Sequence, residues 1–414
     1  MTAAVLAEHF FRHGYARMVA ILVRKVGVRH LQFVEDAVQS ALAAALSAWT
    51  AQPLPENPSA WLYKVARNRL IQDLRRESGR LRILEQVAAD LADSNNDSLD
   101  AGFPNEIRDD LLRMLFVSCD ETIPEESRIV LALRTLCGFS ASEIAIRLFT
   151  SEANVHKRLS RARDRLRQQP PDMGTPSVEQ MSGRLPSVHG VLYLLFNEGY
   201  LSARPEHAIR RDLCEEAIRL TALLAEHPVG TVPATFALLA LMHLHAARLG
   251  SRVNPAGGLL LLEEQDRSLW DRERIRAGME WLRRSASGDV FSRFHAEAGI
   301  AAEHCLAASY EETRWDEIAD LYATLERTAP SPLHRLNRAI AVAESRGPRA
   351  GLDLLEGHTP PAWLVGSYLW DAVLADLHRR SGHTQLAEQH RERALDGAPT
   401  EAVRQLLARR LEVL

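Results

Sequence analysis

Apolar residues recur at intervals of three and four along almost the whole chain. Alternating β-branched runs are missing, and Gly and Pro fall between the periodic blocks. That pattern predicts an all-α protein. Two stretches break it. Residues 91–105 (LADSNNDSLDAGFPN) are polar, acidic and turn-rich, and residues 170–185 begin within the run QQPPDMGTPS, so both read as linkers. They divide the chain into helical blocks over 1–90, 106–169 and 186–414, each a plausible domain size.

In the first block the rigid PLPENP loop (53–58) precedes SAWLYKVARNRLIQDLRRESGRL, with Ser59 as a natural N-cap. Leu62, Val65, Ala66 and Leu70 form one apolar stripe. Lys64, Arg67, Asn68, Ile71 and Arg75 recur on another face, with Arg76 beside them and Trp61 at the first turn. Such a face suits a phosphate backbone, with an aromatic for stacking on an unpaired base; an ordinary solvated helix with Trp61 in the core is the alternative. Upstream, VEDAVQSALAAALSAW predicts a helix with Glu35, Asp36 and Gln39 on its polar surface.

The second block carries the sharper pattern. Ser140 followed by Glu143 is a capping box that starts a helix running through Leu148. Phe149, Thr150 and Ser151 make a turn, and a second helix runs from Glu152 to about Arg167. Val155, Leu159, Ala162 and Leu166 give it one inward stripe. This is a helix-turn-helix, whose second helix enters the major groove. Asn154, His156, Lys157 and Arg158 are placed for base edges; Arg161, Arg163 and Arg165 are placed for phosphates.

Charge distribution agrees with two polyanion-binding modules. Residues 1–82 carry a net +6, residues 83–130 carry −9, residues 131–170 carry +5, and the remainder −6. Lys25, Lys64 and Lys157 are the only lysines among 50 basic residues, so the positive charge is nearly all arginine. Arginine is suited to bidentate phosphate contacts.

Several function classes fall away. No apolar run approaches a membrane span, and no signal-peptide core is evident, so the protein is expected in the cytoplasm. Cys119, Cys137, Cys214 and Cys305 are far apart, which indicates neither a disulfide framework nor a zinc ribbon. There is no P-loop, dinucleotide fingerprint or nucleophile elbow, so no enzyme and no cofactor are expected. His189, His207, His243, His245, His295 and His304 read as structural; His243 and His245, two apart on a helix, point to different faces. Asn197, Glu198 and Tyr200 suit a helix C-terminus with Gly199 in the left-handed conformation. Gln265, Asp266, Arg267 and Trp270 suit an internal polar packing cluster.

The order EDAVQ, a proline-rich loop, AWLYKVARNRLIQDLRR, a linker, then SASEIA and NVHKRLSRARDRLR resembles the extracytoplasmic-function (ECF) sigma factors of bacterial RNA polymerase. The resemblance covers residues 1 to about 167. It implies that the first module, region two, binds the polymerase clamp helices and melts the minus-ten element. The second, region four, would read the minus-thirty-five element. By matching residues, Glu35, Asp36 and Gln39 would face core RNA polymerase. Trp61, Lys64, Arg67, Asn68, Arg75 and Arg76 would meet minus-ten DNA, with Asn68 at a flipped base. Asn154, His156, Lys157, Arg158, Arg161 and Arg165 would meet minus-thirty-five DNA. Ser40 stands where an acidic residue usually follows the Gln, and Ala153-Asn154 replaces the usual Gly-Thr.

The block after residue 186 resembles the tetratricopeptide-like extension of one ECF group, on the segments LPSVHGVLYLLFNEGYLSA, LLLLEEQDRSLWD and PSPLHRLNRAIAVAESRGPRAGLDLL. Its repeats are also visible directly. Gly382, Ala387, Ala394 and Pro399 fit a helix-turn-helix unit of about 34 residues; Gly347 occupies the same turn one unit earlier. Ile318, Tyr322, Leu325 and Pro330 fit the unit before, so repeats are expected from about residue 299. The resemblance implies a regulatory domain whose partner, protein or small molecule, the residues do not name. A one-component helix-turn-helix regulator that never engages polymerase, and a repeat scaffold, are the alternative readings.

Overall fold

The computed structural model describes residues 14–51, 53–78, 109–170, 178–202, 208–254, 258–288, 290–361, 363–365 and 367–412. Among them the regular structure is helical, apart from one antiparallel bridge between Val253 and Leu259. The chain forms two compact units: residues 1–191 with 227–229, and residues 192–226 with 230–414.

The first unit begins with α1 (Tyr15–Val26), α2 (Leu31–Ala51) and α3 (Pro58–Ser78). Leu62, Ala66 and Leu70 are buried as the stripe predicts. The cap differs from expectation: Asn57, not Ser59, accepts from the backbone N–H of Ala60 at 3.0 Å. Pro58 decides this, because its missing N–H is tolerated in the first turn and places the cap one residue before it. Ile71, expected on the basic face, is only 8% exposed and joins the core.

Four further helices follow: α4 (Asp110–Ser118), α5 (Glu125–Thr135), α6 (Ala141–Arg147) and α7 (Glu152–Gln168). The capping box closes as expected, with Ser140 Oγ accepting from Glu143 N and Glu143 accepting from Ser140 N. Phe149 makes the tight turn with φ +48°. Ser151 then caps α7 by accepting from Asn154 N at 3.2 Å. Val155, Leu159, Ala162 and Leu166 are all buried, so the helix-turn-helix forms on its own local signals.

The helix α8 (Val178–Tyr200) corrects the second linker. Residues 178–185 are helical because Met181, Arg184 and Leu185 are buried. Arg184 pairs with Asp120 and donates to the Phe116 carbonyl at 3.2 Å. Tertiary burial thus carries the helix back toward a stretch, 170–176, that holds three prolines. The first linker, 91–105, and residues 171–177 of the second lie outside the described residues.

The second unit contains α9 (Arg211–Glu226), α10 (Pro233–Ala246), α11 (Arg272–Ser285), α12 (Arg293–Leu306) and α13 (Trp315–Thr328). It continues with α14 (Pro332–Arg346), α15 (Pro348–Leu355), α16 (Tyr368–Arg380), α17 (Thr384–Asp396) and α18 (Glu401–Arg410). Nearly every residue of α10 is buried, as a helix apolar on all sides requires. Gly347 and Gly382 end helices with φ of +92° and +77°, where a side chain would be strained. Gly199 differs from expectation. It is helical, and a Cβ there would lie 2.7 Å from Cys214 N and Arg210 O, so close backbone approach is what requires glycine.

Candidate nucleic-acid interface

On α3, Lys64, Asn68, Arg75 and Arg76 are exposed, and Arg67 is half-buried. Asp73 sits among these cations, 3.1 Å from Arg69 and 3.8 Å from Arg76. Trp61 is half-buried against Trp49, their rings 5.7 Å apart. One edge of Trp61 therefore belongs to the core and the rest faces out from the head of the helix.

On α7, His156, Lys157, Arg161 and Arg165 are exposed. Lys157, Arg161 and Arg165 follow one another at four-residue spacing, which lines them along one face opposite the buried stripe. A single helix with a cationic edge of this kind fits the major groove. Two of the expected contact residues are already engaged. Asn154 Nδ2 donates to Thr150 Oγ1 at 2.8 Å and so ties the turn to the helix. Arg158 pairs with Glu126 of α5 at 2.8 Å.

The expected polymerase-facing set divides. Asp36 and Gln39 are exposed on α2, but Glu35 is 2% exposed. Its Oε1 accepts from Thr135 Oγ1 at 2.8 Å, and its Oε2 accepts from an Arg163 guanidinium nitrogen at 2.5 Å. Glu35 was expected on a polar surface; instead it falls beside Leu31, Val34 and Val38 on the buried side of α2, covered by α5 and α7. Tyr15 lies close by. Its phenol is held above its ordinary range by burial and then by the Glu35 charge, while Gln39 hydrogen-bonds to it. Arg163, expected at a phosphate, thus helps to join the second module to the first, together with Thr135 and with an Arg24–Asp110 ion pair at 3.0 Å. Sequence reasoning missed this pair because its members are 128 positions apart. The one local signal was a carboxylate placed in an apolar stripe.

In the second unit, Arg248 bonds to Gln265, and both Arg248 and Arg267 stack on Trp270, at 5.2 and 4.8 Å from the ring centre. Burial first, then nearby arginines, push His245 down to about 3, where it packs between Phe196 and Tyr200. His295 caps α12 through Ser292. His207 lies outside the described residues. No group of three or more His, Cys, Asp or Glu is placed to hold a metal ion among the described residues. Nor is any helix among them long and apolar enough to cross a membrane.

The fold and these two faces define an all-helical DNA-binding protein built around a helix-turn-helix. Comparison with known families is more specific. Residues 11–80 match sigma-70 region 2, and residues 113–166 match sigma-70 region 4. Residues 184–286 match a family of unknown function, DUF6596. The chain is also similar to uncharacterized protein R00370 of Rhizobium meliloti (strain 1021), 37% identical over 329 residues, or 79% of this chain and 78% of the relative. A match of that length exceeds both sigma regions together, so it extends into the second unit. No solved structure matches. The chain carries sigma-70 regions 2 and 4, which make it a sigma factor with RNA polymerase and promoter DNA as its partners.

Proposed function

We propose that this sigma factor is of the ECF type, acts in the cytoplasm, and rests in a closed state that must open for initiation. The second unit, a tetratricopeptide-like regulatory domain, sets how readily it opens. Its boundaries are those of a region two over 1–90, a region four over 106–169 and a regulatory domain after it. Asp36 and Gln39, with Glu35 once released, face core polymerase. Trp61, Lys64, Arg67, Asn68, Arg75 and Arg76 meet minus-ten DNA. Asn154, His156, Lys157, Arg158, Arg161 and Arg165 meet minus-thirty-five DNA.

The observation that carries this reading is the contact between Glu35 and Arg163. Elements centred about 25 base pairs apart lie on the order of 85 Å apart along B-DNA, at 3.4 Å per base pair. Two modules joined by a 2.5 Å ion pair cannot read both elements at once. Closed and open states are therefore alternatives, and a ligand or partner that favours one shifts the population.

Run-off transcription with purified bacterial core polymerase on promoter-containing fragments tests the reading. The full chain is expected to start transcription at defined positions, and Arg163→Ala to start it more efficiently. DNA binding by both proteins with no initiation from either would favour a one-component regulator instead.

A further inference from the structure

A cavity of about 180 Å³ lies within the second unit, between the 261–263 loop, the end of α12, α13, α14 and α18. Its walls are aromatic. Trp315 has the His304 ring edge-on at 5.3 Å and the Tyr310 ring at 5.2 Å, and Tyr322 lines the same space. Burial, followed by Arg248 and Arg267, holds His304 at about 3, so this wall is uncharged at neutral pH.

Polar groups stand free in this lining. Among the described residues, neither the Tyr310 nor the Tyr322 hydroxyl has a hydrogen-bond partner, and the Asn337 amide has none. Tyr310 and Tyr322 are half-buried and Asn337 is exposed, so these donors and acceptors are open to the edge of a ligand in the cavity. Glu263 and Arg410 also line the cavity, so its fixed charges cancel. Arg410 is loosely held, 3.7 Å from Asp376.

Size and chemistry together restrict the ligand. An apolar cavity of about 150 Å³ takes benzene, so this one has room for a single ring or a compact fused pair. Ring walls favour a flat molecule stacked or set edge-on. Hydroxyls and an amide favour a molecule with both donors and acceptors on its edge, and balanced charge favours a neutral one.

We infer that this cavity binds a small, uncharged, planar heterocycle of nucleobase type, held between Trp315, Tyr310 and Tyr322 and oriented by Asn337. The inference does not depend on polymerase binding, and direct titration of the full chain separates the two.

Isothermal titration calorimetry with adenine, hypoxanthine and uracil is the test, with indole as an apolar probe and glycine betaine as a cationic one. At least one base should bind saturably. Tyr322→Phe and Asn337→Ala, which keep the helices intact, should each weaken it by up to about tenfold, the share of one hydrogen bond. No heat from any base overturns the inference. So does indole or betaine binding as tightly as the bases, or base binding unchanged in both variants.

Discussion

Arg163 of α7 and Glu35 of α2 are 128 residues apart in sequence and 2.5 Å apart in space. Thr135 of α5 holds the other carboxylate oxygen. Glu35 is buried, and these two partners hold both of its carboxylate oxygens. Removing one member of a buried pair typically costs about 3–5 kcal/mol, because the other is left uncompensated.

Arg163→Ala should therefore lower stability by roughly that amount in urea denaturation. It should also raise affinity for core polymerase, since Glu35 is released while Asp36 and Gln39 remain. Glu35→Gln should loosen the same contact without gaining polymerase affinity, because it removes a proposed docking charge. Equal polymerase affinities for the two variants would contradict the double role of Glu35.

The stripe of Lys157, Arg161 and Arg165 makes a separate prediction. Each phosphate contact contributes a slope of about −0.9 to the dependence of log affinity on log salt. Arg161→Ala should make the measured slope shallower by about one and weaken binding to all sequences alike. His156→Ala should instead change the preference among promoter sequences with little effect on the slope.

The buried pair of Arg184 and Asp120 bears on where the first unit ends. A chain ending after residue 170 loses this ion pair together with the burial of Met181 and Leu185. It should be less stable by about 3 kcal/mol than one ending after residue 191. Equal melting temperatures would mean that α8 contributes nothing to this unit.

Stability should also fall in mild acid. His189 is pushed down to about 4 by burial, and His245 to about 3 by burial and then by neighbouring arginines, from an ordinary value of 6.5. Above pH 6.5 both are neutral in folded and unfolded chains, so they cost nothing. Below it the unfolded chain takes up protons that the folded one refuses, and stability falls until pH passes the folded values. At pH 5 that is about 2 kcal/mol for each. Denaturation of the full chain at pH 7.5 and 5.0 should show the loss, and His245→Phe should remove one share of it.

What was legible in the sequence is what local chemistry decides. Ser140 and Glu143 fix the start of α6, and the spacing of Val155, Leu159, Ala162 and Leu166 fixes the inner face of α7. Ser59 suits a cap by residue type, but Pro58 ahead of it moves the cap to Asn57. Ile71 repeats in step with the basic residues, yet it also lies next to Leu70 and Leu74 at the edge of the buried face. Glu35 was read as a surface residue because the helix covering it comes a hundred residues later. Residues 178–185 were read as linker because their helix depends on Arg184 finding Asp120. In each miss the deciding partner was distant in the chain.

In the proposed mechanism the two modules touch at rest and separate when polymerase and promoter are bound. Resonance energy transfer between dyes at Ser47 and Ser160, both exposed, measures this on the full chain. High transfer is expected for the free protein. Near-complete loss is expected once core polymerase and promoter DNA are added, as the separation grows toward about 85 Å. High transfer that persists in a complex actively starting transcription would contradict the mechanism.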